Sequence, residues 1–203
     1  MTALTISNLL VQGRGPFNLQ VGENECVAIS AQSGTGKSLF LRAIADIEPH
    51  QGECRLDDCQ CFEVPAPEWR RRVALLPAKA QWWYDTVGEH FHQRDESALT
   101  SLGFTPETWH WQVSRLSSGE QQRLSLLRLL QNSPRVLLLD EPTASLDKIN
   151  SQRVEGLIKN YQLKNQCPII WVTHDNEQAQ RVAQRHYHMR SDGLEIVTGA
   201  KTA

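Results

Sequence analysis

Long hydrophobic runs are missing from this 203-residue chain. Purely apolar stretches such as Val136 to Leu139 fall far short of the roughly 20 residues needed to span a bilayer. Any membrane connection is therefore expected to come through a partner. An excess of one charge is missing too. The 21 Lys and Arg residues against 23 Asp and Glu leave a net charge of −2, so no general basic field exists for nucleic acid or an anionic membrane surface. The start, MTALTISNLLVQ, lacks the basic segment and long apolar stretch of a secretory signal. Cysteine is sparse and odd in number, at five, which argues for a reducing, cytoplasmic setting rather than a disulfide framework. No internal repeat, low-complexity segment or flexible linker marks a second independent domain.

What is present is one substantial core, for which a 40% hydrophobic composition suffices. Apolar segments rich in β-branched residues at Cys26 to Ser30, Val73 to Leu76, Val136 to Leu139 and Pro168 to Thr173 alternate with helix-like segments. That alternation predicts an α/β domain on a mainly parallel sheet. Strands of a sheet covered on both faces read as continuous apolar runs, as RVLLLD and PIIWVTH do. LTISNLLV and FNLQV predict an N-terminal antiparallel layer, and HYHMRSDGLEIVTG a terminal hairpin. Between Thr86 and Asn132 the strand signal gives way to amphipathic stretches. We read an inserted helical subdomain over about 84–133, flanked by core segments 1–83 and 134–203 of a single domain. Within it Leu124, Leu127 and Leu130, with Leu126 beside them, make one apolar helix face.

The stretch AQSGTGKS, Ala31 to Ser38, lies between an apolar strand and a segment of helical spacing. This is the context of a phosphate-binding loop, GxxxxGK[ST], with alanine in place of the first glycine. Ala31, Gln32, Ser33, Gly34, Thr35 and Gly36 would turn backbone N–H groups toward phosphate oxygens at a helix start. Lys37 would reach the β- and γ-phosphates and the Ser38 hydroxyl would ligate Mg²⁺. Downstream, RVLLLDEP ends a buried strand in two carboxylates. Asp140 would hold Mg²⁺ through water and Glu141 would orient and deprotonate an attacking water. Alone, such a strand is more often one that runs into an acidic turn; after a phosphate loop the functional reading gains. LSSGEQQR opens the leucine-faced helix, with Ser117 and Ser118 as N-cap candidates and Gly119 leaving N–H groups accessible to an anion. In isolation that pattern is a plain capped helix.

Taken in order, AQSGTGKS, LSSGEQQR, VLLLDEP, TASLD and WVTHD resemble the ATP-binding cassette (ABC) ATPases over nearly the whole chain. LSSGE is similar to that family's signature, LSGGQ or LSGGE. The resemblance implies a P-loop NTPase fold, Mg·ATP as ligand and a homodimer closing head to tail around ATP. It implies that Ser117, Ser118, Gly119 and Glu120 act in trans on the partner's nucleotide. It places Asp147 in a loop crossing the dimer and makes His174 a switch histidine contacting the γ-phosphate. A separate membrane permease would take up the motion, its docking site lying between the Gln81 region and the helical subdomain, and the chain would sit at the cytoplasmic face of the cell membrane. The compact length resembles small exporter-type subunits, including the iron-export kind. Rival readings are a soluble ABC ATPase of nucleic-acid or translation machinery, and a hydrolysis-impaired, nucleotide-dependent dimerisation switch.

Two positions depart from the family pattern. Ala78 stands where the family has a glutamine that contacts Mg²⁺, and Gln81 lies three residues on; we expect ATP binding to survive and coupling or rate to change. Leu10 or Val11 takes the place of an aromatic that stacks on adenine, which predicts weak base discrimination. Cys54, Cys59 and Cys61 cluster without a CxxC pair, in a segment expected to be a hairpin, and are not read as a metal site. His186 and His188 would share one strand face. Trp69, Trp82, Trp83, Trp109 and Trp111 fall in or beside the helical subdomain, mostly as core. Ala31 is expected to have a negative φ, where a methyl costs little. Ala31→Gly should then leave ATP affinity nearly unchanged in a nucleotide titration, and a gain of about tenfold would mark the alanine as a defect.

Overall fold

The structure, a computed structural model, describes residues 3–32 and 34–197. In chain order its strands and α-helices are β1 (Leu4–Val11), β2 (Arg14–Val21), β3 (Cys26–Ser30), α1 (Lys37–Ile44), β4 (Gln51–Leu56), β5 (Cys59–Gln60), α2 (Ala66–Arg72) and β6 (Val73–Leu76). They continue through α3 (Glu96–Ser101), α4 (Ser118–Leu130), β7 (Val136–Asp140), α5 (Lys148–Asn165), β8 (Ile169–Val172), α6 (Asn176–Val182), β9 (Arg185–Arg190) and β10 (Gly193–Ile196). Two sheets result. The smaller is antiparallel in the order β2-β1-β4-β5; the larger runs β10-β9-β3-β8-β7-β6 and is parallel except at β10. The expected antiparallel N-terminal layer and terminal hairpin are both present, although Thr198 and Gly199, the hairpin's last predicted residues, lie outside the described residues.

Every residue of β3, β7 and β8 is buried, as their unbroken apolar runs require. Alternation along each strand divides its side chains between two cores. Val136, Leu138, Ile170 and Val172 face β1, β2 and α1, whereas Leu137, Leu139, Ile169 and Trp171 face α4 and α5. The α4 leucines Leu124, Leu126, Leu127 and Leu130 are all buried in the second of these. That core also takes Trp109, and Trp82 packs at its margin.

Trp69 is a correction to its placement beside the helical segment. It is fully buried in the first core, and its indole N–H donates to the Ile44 carbonyl at the end of α1 (2.8 Å). An aromatic on the short helix α2, two elements away from the inserted segment, thus props the helix that carries the phosphate-loop lysine. Residues 84–133 contain α3, α4 and several 3₁₀ turns, with one isolated antiparallel bridge, Thr86 to Gln112.

Leu138 sits at the centre of the larger sheet with no exposed surface. Leu138→Ala should lower unfolding stability by about 2–5 kcal/mol in urea titration, because the packed surroundings cannot collapse into the space left.

Candidate nucleotide site

Parallel pairing decides where the motifs meet. Ile29 of β3 and Asp140 of β7 both lie opposite Val172 of β8. The carboxyl ends of three adjacent strands therefore stop level, and the chain leaves them as Ala31, Glu141 and Thr173. Loops after such strand ends form the binding crevice of open parallel sheets.

The loop after β3 turns on Gly34 and Gly36, with φ of 81° and 108°. The left-handed φ demands glycine at Gly36; a Cβ there would sit 2.7 Å from Cδ of Arg14, whose flexible side chain lies across the loop. Ala31 is not among the residues with positive φ, and its methyl meets no left-handed penalty. The Lys37 ammonium donates to the carbonyls of Ala31 (2.9 Å) and Gln32 (3.5 Å), and is itself buried at the first position of α1. The Thr35 hydroxyl donates to the Gln32 carbonyl (2.7 Å). Ser33 lies outside the described residues.

Around Asp140 the groups converge. Its carboxylate accepts from the Ser38 hydroxyl and from the Ala78 backbone N–H, with Lys37 and Glu141 as charged neighbours. Burial pushes the carboxyl above its ordinary range, and the neighbouring Glu141 adds to that; the Ser38 and Ala78 hydrogen bonds and the lysine pull the other way. Ala78 has no side chain to offer a metal, yet its N–H takes part in the cluster, a role invisible in the residue name. Gln81 is not drawn in: its carbonyl accepts from Arg128 of α4 (2.9 Å).

Glu141 has φ of 49°, a left-handed conformation that a non-glycine residue adopts at a cost of about 1–3 kcal/mol. Its N–H is fixed by the Val172 carbonyl (3.0 Å), which turns the chain sharply and aims the side chain past the strand ends. There Oε2 lies 3.4 Å from Nδ1 of His174, which is two-thirds exposed. A polar network that sequence reading missed stands behind the pair. The buried Gln178 accepts from the Thr173 hydroxyl (3.0 Å) and donates to Thr143 (2.8 Å) and Glu155 (2.8 Å), and Glu155 takes two bonds from Arg181 (2.9 and 2.8 Å). Thr143, Thr173, Gln178 and Arg181 line a cavity of about 450 Å³ together with Glu141 and His174. Thr143 after β7, Glu155 on α5 and the Gln178 and Arg181 of α6 come from three parts of the chain, and no spacing signal would have announced their meeting.

The remaining motif residues are held as caps. Ser117 is the N-cap of α4, rather than Ser118, and forms a reciprocal capping box: Glu120 N–H donates to Ser117 Oγ (3.3 Å) while Ser117 N–H and Oγ donate to Glu120 Oε2 (2.8 and 2.7 Å). Ser117 and Ser118 are exposed. A Cβ on Gly119 would stand 3.0 Å from Leu146 and 3.1 Å from the Ser145 carbonyl, so the start of α4 packs against the loop after β7. Asp147 is the N-cap of α5, accepting from Asn150 N–H (2.8 Å) and side-chain N–H (2.9 Å). Those bonds hold its carboxyl below the usual range. No hydrogen bond or ion pair among the described residues joins Ser117–Glu120 to the phosphate loop. Of the residues standing in for the adenine-stacking aromatic, Val11 is buried in the first core and Leu10 is half-buried. The histidines also differ: His186 is buried on Ser30 Oγ (2.8 Å), and His188 is half-buried.

A parallel sheet with a glycine-turned loop at the end of β3 and paired carboxylates at the end of β7, one strand beyond its neighbour β8, defines a P-loop nucleotide-binding protein. A family profile described as ABC transporter matches residues 15–144, and the chain belongs to that family of ATPases. It is 34% identical over 189 residues to the putative ABC transporter ATP-binding protein YjkB of Bacillus subtilis, spanning 87% of this chain and 75% of that protein. It is likewise 34% identical over 174 residues to the aliphatic sulfonates import ATP-binding protein SsuB 2 of Paracoccus denitrificans, spanning 83% and 68%. Among solved structures, an ATP-bound bacterial Atm1-family ABC exporter aligns with a TM-score of 0.84 at 21% identity, over 95% of this chain and 37% of that one. A dimeric post-hydrolysis state of the cassette MJ0796 with ADP and Pi aligns with a TM-score of 0.79 at 21% identity, over 95% and 96%.

Asp140 binds its proton more tightly in the fold than in the unfolded chain. Its protonated form favours the fold, and that advantage is lost as pH rises through the raised titration. Asp140→Asn should therefore raise the unfolding midpoint at pH 7 in calorimetry. The gain should vanish below about pH 4, where the aspartate is neutral in both states.

Proposed function

We propose that this chain is the ATP-hydrolysing subunit of a transporter, closing as a homodimer around Mg·ATP and driving a separate membrane permease. The observation that carries the reading is the convergence of Lys37, Ser38, Asp140, Glu141 and His174 at the level ends of three adjacent parallel strands. The ATP-binding relatives named for transport support it.

Ala31 to Ser38 would wrap the phosphates, with the Lys37 ammonium already held beside the loop carbonyls. The hydrogen-bonded Ser38 hydroxyl and Asp140 carboxylate are a hard oxygen pair that fits Mg²⁺. They would hold the ion, which when bound neutralises charge on the phosphates. Glu141 would accept a proton from the attacking water, its direction set by the left-handed backbone and by His174. Ser117, Ser118, Gly119 and Glu120 would face the partner's nucleotide, and Asp147 would lie in the adjoining stretch that crosses the dimer. For the permease we propose the surface that carries the exposed Trp83 and Tyr84, next to Gln81. This would hold the chain at the cytoplasmic face of the membrane; no described helix is long and apolar enough to cross it. Nucleic acid is not proposed as a partner, since the chain offers no basic excess.

Ala78 is the one observation that favours the hydrolysis-impaired switch, and a steady-state phosphate-release assay with Mg²⁺ separates the two. Wild type should turn over, Lys37→Ala should lose nucleotide binding, and Glu141→Gln should keep binding while release falls by about 100-fold or more. Wild type and Glu141→Gln releasing phosphate equally slowly would refute the enzyme and leave the switch.

A further inference from the structure

The β4–β5 hairpin carries chemistry that nucleotide hydrolysis does not use. Arg55 pairs with Gln60 and Leu56 with Cys59. One more step of that antiparallel register would set Cys54 opposite Cys61, where the chain passes from β5 into a 3₁₀ turn over Cys61–Glu63. Residues opposite each other in such a ladder have Cα atoms about 4.5–5.5 Å apart, inside the roughly 4.4–6.8 Å that a disulfide bridges. Each of the two thiols is the other's strongest electrostatic neighbour, and both residues are buried in the first core.

On the other side of Cys61 stands a base. His50 Nε2 lies 3.8 Å from the Cys61 sulfur. The other ring nitrogen, Nδ1, is 3.1 Å from the Glu48 carbonyl oxygen. A carbonyl can only accept, so Nδ1 carries the hydrogen and Nε2 is left to take the thiol proton. Cys61 is thus flanked by a proton acceptor and a thiol donor, both of which favour its thiolate; it is drawn down to about 5, and Cys54, whose S–H serves as the donor, is held protonated. His50 also lines a surface recess with Leu10, Gln12, Gly13, Pro49 and Gln51. The other cysteines differ. Cys59 is half-exposed with Arg72 Nη1 at 3.6 Å, and burial pushes Cys26 and Cys167 up to about 12. No group of three His, Cys, Asp or Glu side chains among the described residues is arranged to hold a metal.

We propose that Cys54 and Cys61 form a hydroperoxide-sensitive dithiol in which Cys61 attacks, His50 is its base and Cys54 resolves. The Cys61 thiolate attacks one oxygen of hydrogen peroxide, the O–O bond breaks, and the departing hydroxide takes the proton held by His50 and leaves as water. The Cys61 sulfenic acid so formed is attacked by Cys54 sulfur; the S–O bond breaks, and the hydroxyl leaves as water with the Cys54 proton. Two thiols and one peroxide become one disulfide and two waters, and a small dithiol reverses the change.

The test is peptide mapping of the reduced, folded chain after brief exposure to a small molar excess of hydrogen peroxide and quenching by alkylation. The expected product has lost two hydrogens, is restored by dithiothreitol, and links Cys54 to Cys61. Cys26, Cys59 and Cys167 should remain alkylated, and Cys59→Ser should give the same bridge. Cys54→Ser should accumulate a dimedone-reactive sulfenic acid at Cys61, and His50→Phe should slow the reaction by about tenfold. Oxidation that starts at Cys59, a bridge that uses Cys59, or five free thiols until the chain is unfolded in urea would overturn the proposal. The wild-type map decides among these outcomes even where a variant fails to fold.

Discussion

Level termination of three buried parallel strands is the constraint on which the rest of the molecule depends. β8 lies between β3 and β7, and its Val172 is the common partner of Ile29 and Asp140. A slip of one residue in either pairing would reverse which side chains enter which core. Leu137 and Leu138, fully buried on opposite faces, resist that slip with the burial energy of every residue on the strand. The crevice is therefore located by packing on both sides of the sheet, and the polar residues in it inherit their positions.

That inheritance has local costs. Asp140 sits where burial opposes its charge, and Glu141 adopts a backbone conformation that glycine would take more readily. Both costs fall at the same strand end, and their neighbours are arranged to bear them: Ser38 and Ala78 donate to Asp140, Val172 anchors the Glu141 N–H, and Gln178 ties Thr173 and Thr143 to the Glu155–Arg181 pair. A cluster of like-charged carboxylates is tolerable in such a place because each partner reduces a different part of the penalty.

Much of this was legible in the sequence because it rests on short-range pattern. Continuous apolar runs marked β3, β7 and β8, and glycines three and five residues past Ala31 marked a loop that needs positive φ. Other features had no such signal. Trp69 lies on a short helix remote in sequence from Ile44, which it holds, and nothing in its surroundings distinguishes it from Trp83, which is exposed. Ala78 contributes through a backbone N–H, which every non-proline residue possesses. The Gln178 network joins residues 23 to 35 positions apart, and only the fold brings them together. The clustering of Cys54, Cys59 and Cys61 was visible in the sequence, but not that His50 would lie against Cys61 rather than Cys59.

The caps carry one further step of argument. Glu120 and Asp147 each spend their carboxylate on the N-terminus of their own helix, α4 and α5, and neither has a free oxygen pair with which to grip a ligand. What the start of α4 can still present are the exposed Ser117–Ser118 segment and the positive end of the helix. The absent Cβ of Gly119 lets that segment rest on Ser145 and Leu146, directly before Asp147. The two stretches assigned to the dimer are thus one packed unit, joined by van der Waals contact rather than by charge. In the proposed dimer a partner subunit that met one would meet the other, and a displacement of the loop after Glu141 would pass to α4 through a contact in which glycine leaves little slack.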